Sequence, residues 1–320
     1  MNQYGKEGKP FLFVVDFDKK NINVFLEKGI TKNNIYFDIE GITNYDYQNV
    51  LPLPQTNLWK KTPVSFAEYQ KSFQIVQKGL LRGDSFLTNL TFQTEVETNL
   101  SFQHIFHHAK AKYKLLFKNE FVCFSPEIFV KINANGSISS NPMKGTIDAN
   151  IPDAKSLILN NLKEKSEHHT IVDFIRNDLS RVAKKVRVER FRYLDLIRTN
   201  TKDLLQVSSE IVGELPQDWK ENIGTIFDSL LPAGSISGAP KPSTLNIISE
   251  AENYERGYYT GIVGFFDGKT VNSGVMIRFL EKKGEQLFFK SGGGITVFSN
   301  ENTEYQELIQ KIYVPIPRNH

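Results

Sequence analysis

Helical and extended hydrophobic periods are interspersed along this chain without the strand–helix–strand rhythm that builds a parallel sheet. That feature points to an α+β fold with a mostly antiparallel sheet. The clearest helix follows Ser65. Ser65 and Glu68 make a capping-box pattern, and Phe66, Tyr69, Phe73, Val76 and Leu80 recur at three- and four-residue spacing as one buried stripe. Gly83 ends it. Over residues 85–96 the period becomes two. Phe86, Leu90, Phe92 and Val96 face one way, and Leu87, Asn89, Thr91 and Gln93 the other. Residues 1–60 read as short strands and turns, with a proline-containing linker at 51–56. Residues 121–132 read as a strand interrupted at Ser125-Pro126. Residues 153–182 read as helix with a break, and 201–212 fit either state. A glycine- and serine-rich loop at 234–240 runs into a helix near Pro242, a residue suited to a first helical turn. Residues 260–289 read as a β-meander with turns at Asp267-Gly268 and Lys283-Gly284. A turn at Gly292-Gly293-Gly294 and a helix over 302–312 complete the chain.

The 320 residues leave room for one large mixed domain, and a 40% apolar content can build its core. The 24 phenylalanines favour a sheet-rich interior. A net charge of +3 gives no nucleic-acid footprint. The one cysteine, Cys123, cannot form an internal disulfide, fits a reducing compartment, and reads as a small buried hydrophobe. Residues 1–10 are polar, the apolar run at 11–15 is cut off by Asp16 and Asp18, and no stretch approaches membrane-spanning length. These features suit a cytoplasmic protein.

Five constellations could carry chemistry. Glu164 and Glu167 lie three apart on one predicted helix, Glu304 and Glu307 on another, so each pair shares a face. Two such faces would offer the oxygen donors that magnesium takes; the same spacing also suits solvated faces, with Glu307 and Lys311 as a surface ion pair. Lys144 sits in Asn141-Pro142-Met143-Lys144-Gly145-Thr146, held on a turn. Near a cation and away from water its amine would be nucleophilic; exposed, it is an ordinary loop lysine. Glu127, beside a strand break, is either a surface turn residue or an acid aimed into a cleft, where burial favours the protonated form. The Gly234–Lys241 loop could bind an anion through its amides, but it is not a Walker loop, because Pro242 follows Lys241. The charges of Asp173, Arg176 and Asp178 lie in a partly apolar helical pattern and read as buried, hydrogen-bonded structure.

In order, these pieces resemble the chorismate-binding enzymes. The resemblance rests on Gly83 to Leu90, Ser125-Pro126-Glu127, Pro142 to Thr146, Glu167-His168, Ile171 to Asp178, Pro232 to Lys241, Gly257 to Gly261, Ile277-Arg278, Gly292 to Ile295 and Glu304 to Glu307, across roughly residues 65–312. It implies large, mostly antiparallel β-sheets forming a sandwich with helices outside, in one catalytic domain over residues 1–320 with a shortened N-terminal region at 1–60. Glutaminase and lyase domains, and a tryptophan feedback site, are not expected.

The resemblance also implies roles. Glu167 and Glu307 would hold magnesium directly, and Glu164 and Glu304 through water. The metal would grip the ring carboxylate of chorismate. Lys311 and the amides of Gly292, Gly293 and Gly294 would bind carboxylate, Arg278 and Tyr259 the enolpyruvyl side, and Gly145 and Thr146 would line the pocket. Glu127 would protonate the departing C4 hydroxyl.

Position 144 separates the branches. Members that resemble anthranilate synthase carry alanine there; those that resemble aminodeoxychorismate synthase carry a lysine that attacks C2. Lys144 therefore implies amination of chorismate at C4 on the route to folate, with ammonia from a separate glutamine amidotransferase subunit. Anthranilate synthesis is the nearest alternative. Isochorismate and salicylate synthases place a water-activating lysine where Leu87 stands, and a non-catalytic subunit of the same fold would not need the acid, nucleophile and metal set. Three departures stand out: Leu87 replaces a common glutamine, Ser85 an apolar residue or cysteine, and Ala233 a frequent glycine.

Overall fold

The computed structural model describes residues 1–198 and 203–316. The strands form two large antiparallel sheets. In the first they run, from edge to edge, Met143–Asp148, Asp203–Glu214, Ser137–Ser140, Ile128–Ile132, Val271–Val275, Ile262–Phe266, Phe11–Val15 and Ile22–Leu26, with Lys184–Arg198 also paired to Asp203–Glu214. In the second the order is Gly238–Ala239, Leu87–Thr98, Gln286–Ile295, Phe279–Lys283, Phe121–Ser125, Tyr113–Phe117, Ile35–Ile39 and Ile42–Thr43, with Trp59–Thr62 also paired to Leu87–Thr98.

The apolar pattern explains the layering. Strand Phe11–Val15 is apolar at every position because it is covered on both faces. Leu12 and Val14 pack with Phe37, Leu115, Phe121 and Cys123 of the second sheet, which makes the core between the sheets. Phe11, Phe13 and Val15 pack outward with Ile171 and Ile175 of helix Leu162–Ser180 and with Phe227 of helix Ile223–Leu230. The outer face of the second sheet is covered by helix Phe102–His108 and by helix Phe66–Leu81. Cys123 is fully buried.

Helix Phe66–Leu81 buries Tyr69, Phe73, Val76 and Leu80, and the Ser65 hydroxyl accepts from the Glu68 N–H at 3.3 Å. The following strand starts at Leu87, so Phe86 falls outside it and is 63% exposed, against the expectation that it shares the Leu90 face. Residues 153–182 do break, at Asn161, between helices Ala154–Asn160 and Leu162–Ser180. The stretch 201–212 is strand from Asp203 onward; its first two residues lie outside the described ones.

Four local expectations change. The strand pairs over residues 260–289 are not one meander, because Val271–Val275 belongs to the first sheet and Phe279–Lys283 to the second. Residues 121–132 cross between sheets in the same way, at Pro126-Glu127. The run Gly292–Gly294 is not a turn: it lies within strand Gln286–Ile295, opposite Thr91, Leu90 and Asn89. A Cβ at Gly292 would meet the Leu90 carbonyl at 2.5 Å, so close backbone approach, not chain reversal, requires glycine there. Asp173 and Arg176 are exposed and pair loosely with each other at 3.8 Å; of the three charged residues only Asp178 is drawn inward.

Candidate active site

Two of the places where the chain changes sheets, at 126–127 and 276–278, lie side by side. The Phe124 N–H donates to the Arg278 carbonyl at 3.1 Å, and the Val275 N–H donates to the Glu127 carbonyl at 3.1 Å. Glu127 and Arg278 therefore stand on adjacent links at the seam of the sandwich. Arg278 has φ +55°, the left-handed conformation that turns the backbone out of one sheet and into the other.

A cavity of about 320 Å³ opens at this seam, within the size range of small-molecule sites. Glu127, Lys144, Gly145, Thr146, Tyr259, Arg278, Gly292, Gly293, Gly294, Glu307 and Lys311 all line it. The sequence positions singled out for chemistry and substrate binding, scattered over more than 180 residues of chain, thus share one wall system.

Lys144 is on a strand rather than the turn expected for it. Strand Met143–Asp148 slips register against Asp203–Glu214 between Met143 and Thr146, and Gly145 has φ +80°. This bulge aims Lys144 away from the ladder. Its Nζ lies 3.5 Å from Glu167 Oε2 and 3.5 Å from where a Cβ on Gly294 would stand. Leu87 Cδ1 lies 3.4 Å from that same point. The glycine strand thus leaves room for the amine.

Glu127 is partly exposed as a residue because it faces the cavity, yet its carboxyl group is enclosed by protein. That burial pushes the carboxyl above the ordinary carboxylate range; a hydrogen bond from Ser235 Oγ to Oε1 at 2.6 Å and the charges of Lys144, Arg278 and Lys311 oppose the rise without reversing it. A carboxyl so placed can hold and deliver a proton.

Lys311 Nζ donates to the Gly292 carbonyl at 2.9 Å and pairs with Glu307 at 2.7 Å. Tyr259 is buried in the wall, and burial pushes its phenol well above the usual range, so it stays protonated.

Three of the four expected metal-binding carboxylates stand behind this wall. Glu167 reaches the cavity through its pair with Lys144. Glu164 Oε2 lies 3.2 Å from where a Cβ on Gly145 would be, and Glu304 Oε2 3.8 Å from the matching point on Gly293. Among the described residues, no three acidic, histidine or cysteine side chains converge closely enough to hold an ion. The donor chemistry suits magnesium all the same: carboxylate oxygens alone, with Glu167 and Glu304 on buried positions. In this structure lysine ammonium groups stand against two of these carboxylates, Lys144 against Glu167 and Lys311 against Glu307.

The Gly234–Lys241 loop binds an anion, but that anion is the protein's own. Asp178 accepts from the Gly234 amide and pairs with Lys241 at 2.8 Å, and Lys241 also donates to the Leu230 carbonyl. The loop is thereby pinned to helix Leu162–Ser180, and its Ser235 is set against Glu127. Ser235 lies inside the Pro232–Lys241 motif, whose pattern alone gives it no role. Asn89, 8% exposed in the cavity wall, is placed by the alternation only on the face shared with Leu87, Thr91 and Gln93. A polar residue amid a strand's buried stretch was the available signal for it.

Known proteins resemble this chain in sequence and fold. A Haemophilus influenzae protein named as PabA-like is 50% identical over 315 residues, covering 98% of this chain and 95% of its own. Aminodeoxychorismate synthase component 1 of Salmonella typhimurium is 30% identical over 277 residues, covering 82% of this chain and 59% of its own. The solved menaquinone-specific isochorismate synthase of Escherichia coli superposes with a TM-score of 0.70 at 16% identity, covering 97% of this chain and 78% of its own, a likeness of fold. The model of the chorismate-binding enzymes matches residues 30–317. On that match the chain belongs to the chorismate-binding enzyme family.

Proposed function

We propose that this chain is the chorismate-aminating component of an aminodeoxychorismate synthase. It would convert chorismate and ammonia to 4-amino-4-deoxychorismate, with a separate glutamine amidotransferase supplying the ammonia. The observation that carries the reading is Lys144, whose amine enters the same cavity as the enclosed Glu127 carboxyl, with the apolar Leu87 beside it. A nucleophilic amine facing a proton donor is the pair that a two-stage substitution needs.

Lys311 and Arg278 supply positive charge for the two carboxylates of the substrate. Glu167 and Glu307, with Glu164 and Glu304 behind them, would hold magnesium, which when bound supplies a cation for the ring carboxylate. Lys144, once deprotonated, gives its lone pair to C2 as the C4–O bond breaks, and Glu127 delivers its proton so that water departs. Ammonia then gives its lone pair to C4 as the C2–Nζ bond breaks. The electron pair returns to Lys144, and the new C4 ammonium carries the charge that the Lys144 nitrogen held in the adduct. Leu87 offers no group able to activate water, which favours the nitrogen nucleophile.

Incubation of the purified protein with chorismate, ammonium and magnesium, followed by mass spectrometry, tests the reading. The expected product is aminodeoxychorismate, which is not aromatic. Fluorescent anthranilate, isochorismate, or unconsumed chorismate would overturn it.

A further inference from the structure

Arg256 is a buried charge that the steps above do not use. It is 3% exposed and forms an ion pair with Glu252, whose side chain is likewise covered. A buried ion pair is a poor source of net stability, because desolvating both charges offsets their attraction. What this one supplies is geometry. Every N–H of the guanidinium fork has a partner. Nε and Nη2 donate to the two Glu252 oxygens at 2.8 and 2.6 Å. Nη2 also donates to the Asn89 carbonyl at 2.6 Å, and Nη1 to the Ile236 carbonyl at 2.9 Å and the Thr260 hydroxyl at 3.4 Å. Glu252 in turn accepts from the Thr91 N–H and hydroxyl, both at 2.8 Å.

The three segments so joined all border the cavity. Asn89 and Ile236 line it, and Thr260 follows Tyr259, which does too. The contact with Ile236 bears on the chemistry. Ile236 follows Ser235 in the short helix Gly234–Ser237, and Ser235 Oγ donates to Glu127 Oε1 at 2.6 Å. A single helical turn is too short to hold such a hydroxyl by its own ladder. It is held from outside. On one side the Gly234 amide donates to Asp178; on the other the Ile236 carbonyl accepts from Arg256. Arg256 thereby ties the turn to strand Leu87–Thr98, a fixed wall of the cavity.

We propose that Arg256 is a positioning residue: through the Ile236 carbonyl it holds the Ser235 hydroxyl on the Glu127 carboxyl. Release of that hold takes a donor away from the carboxylate, so the carboxyl keeps its proton to higher pH. Calling Glu127 the acid rests on the amination reading above; the hold itself does not. Lys144, Arg278, Lys311 and the Tyr259 phenol also face Glu127, and all four stay in place when Arg256 is replaced. Arg256→Lys keeps the positive charge and removes the planar fork, since one ammonium cannot span Glu252, Asn89 and Ile236 together.

The test reads the Glu127 carboxyl directly, by carbon-13 NMR titration of the whole chain labelled at its glutamate carboxyls, the resonance being assigned by its loss in Glu127→Gln. Ser235→Ala should raise the titration midpoint by roughly half a pH unit or more, the scale of one hydrogen bond. Arg256→Lys should move it in the same direction. The double variant should match Ser235→Ala alone, because the hydroxyl that Arg256 holds is already gone. Unfolded chains titrate as a separate signal in the ordinary glutamate range, so a loss of folded protein leaves this midpoint in place. Should Arg256→Lys fail to fold at all, Glu252→Gln, which loosens the anchor and keeps the guanidinium, should give a smaller rise. The alkaline limb of kcat/KM for chorismate should follow the midpoint. A wild type that makes no aminodeoxychorismate would defeat the amination reading and leave the titration to decide the role of Arg256. An unmoved midpoint in Arg256→Lys, or in Glu252→Gln where that variant is read instead, would overturn the inference, and so would shifts that add in the double variant.

Discussion

The Ser235 hydroxyl donates to Glu127 Oε1 at 2.6 Å, across the join between a short glycine-rich helix and the seam of the two sheets. This bond stabilises the charged carboxylate and therefore opposes the rise that burial imposes. Ser235→Ala removes that opposition. The Glu127 carboxyl should then keep its proton to higher pH, and the alkaline limb of the kcat/KM profile should move upward. A limb that stays in place, or moves to lower pH, would remove Glu127 from the role of acid.

Lys144→Ala should lower kcat for amination by about 10³-fold or more, because the covalent stage disappears. The variant also leaves Glu167 without the ammonium 3.5 Å away. Chorismate binding, followed by calorimetry, should fall far less than turnover. Product formation at the wild-type rate would rule out the covalent role.

Glu307→Ala should weaken magnesium binding at least about tenfold, the scale on which even indirect supports of a metal act. Fold stability should change little, because the Glu307–Lys311 pair is a half-exposed helix pair worth a few tenths of a kcal/mol. Titration calorimetry with magnesium alone reads the first effect and a urea melt the second. Unaltered metal affinity would remove Glu307 from the ligand set.

His168 gives a pH signature to stability. It is fully buried, its Nε2 meets Ser209 Oγ at 2.7 Å, and its Nδ1 has no partner among the described residues. Burial first, and then the charges of Arg192, His169 and Lys144, lower its pKa to about 4. The unfolded chain takes up this proton near pH 6.5 and the folded chain only near 4, so stability is present above 6.5 and is lost as pH falls between them. The loss at pH 5 is on the order of 2 kcal/mol. Urea melts of wild type and His168→Gln at pH 7 and pH 5 should show the smaller pH dependence in the variant; equal dependence would exclude His168 as its source.

Much of this architecture could be read from residue patterns, and the misses have physical causes. The helix after Ser65 announced itself because its cap and stripe are local. The crossing at Ser125-Pro126 left a proline as a mark, whereas that at Met276–Arg278 left none, since an arginine can adopt φ +55° without a breaker residue. The triple glycine reads as a turn because a glycine that makes room for Lys144 looks the same in sequence as one that reverses the chain. Asn89 reads only as a member of one of two faces, because alternation separates two faces without saying which borders a cavity. Ser235 and Asp178, 57 residues apart by number, act together only once Gly234 is docked on its helix. Register and seam geometry are long-range outcomes, and no local window contains them.

The acid and the guanidinium are spaced by main chain. Two peptide hydrogen bonds, Phe124 to Arg278 and Val275 to Glu127, clamp the neighbouring links from which those side chains project. The scaffold therefore works as a caliper whose jaws were set during folding. Its gap cannot drift unless one layer of the sandwich shears past the other, which the shared core of Leu12, Phe37 and Phe265 resists. On the function proposed above, chorismate would meet a geometry fixed in advance, and the work of aligning donor with leaving oxygen would be absent from the barrier to reaction.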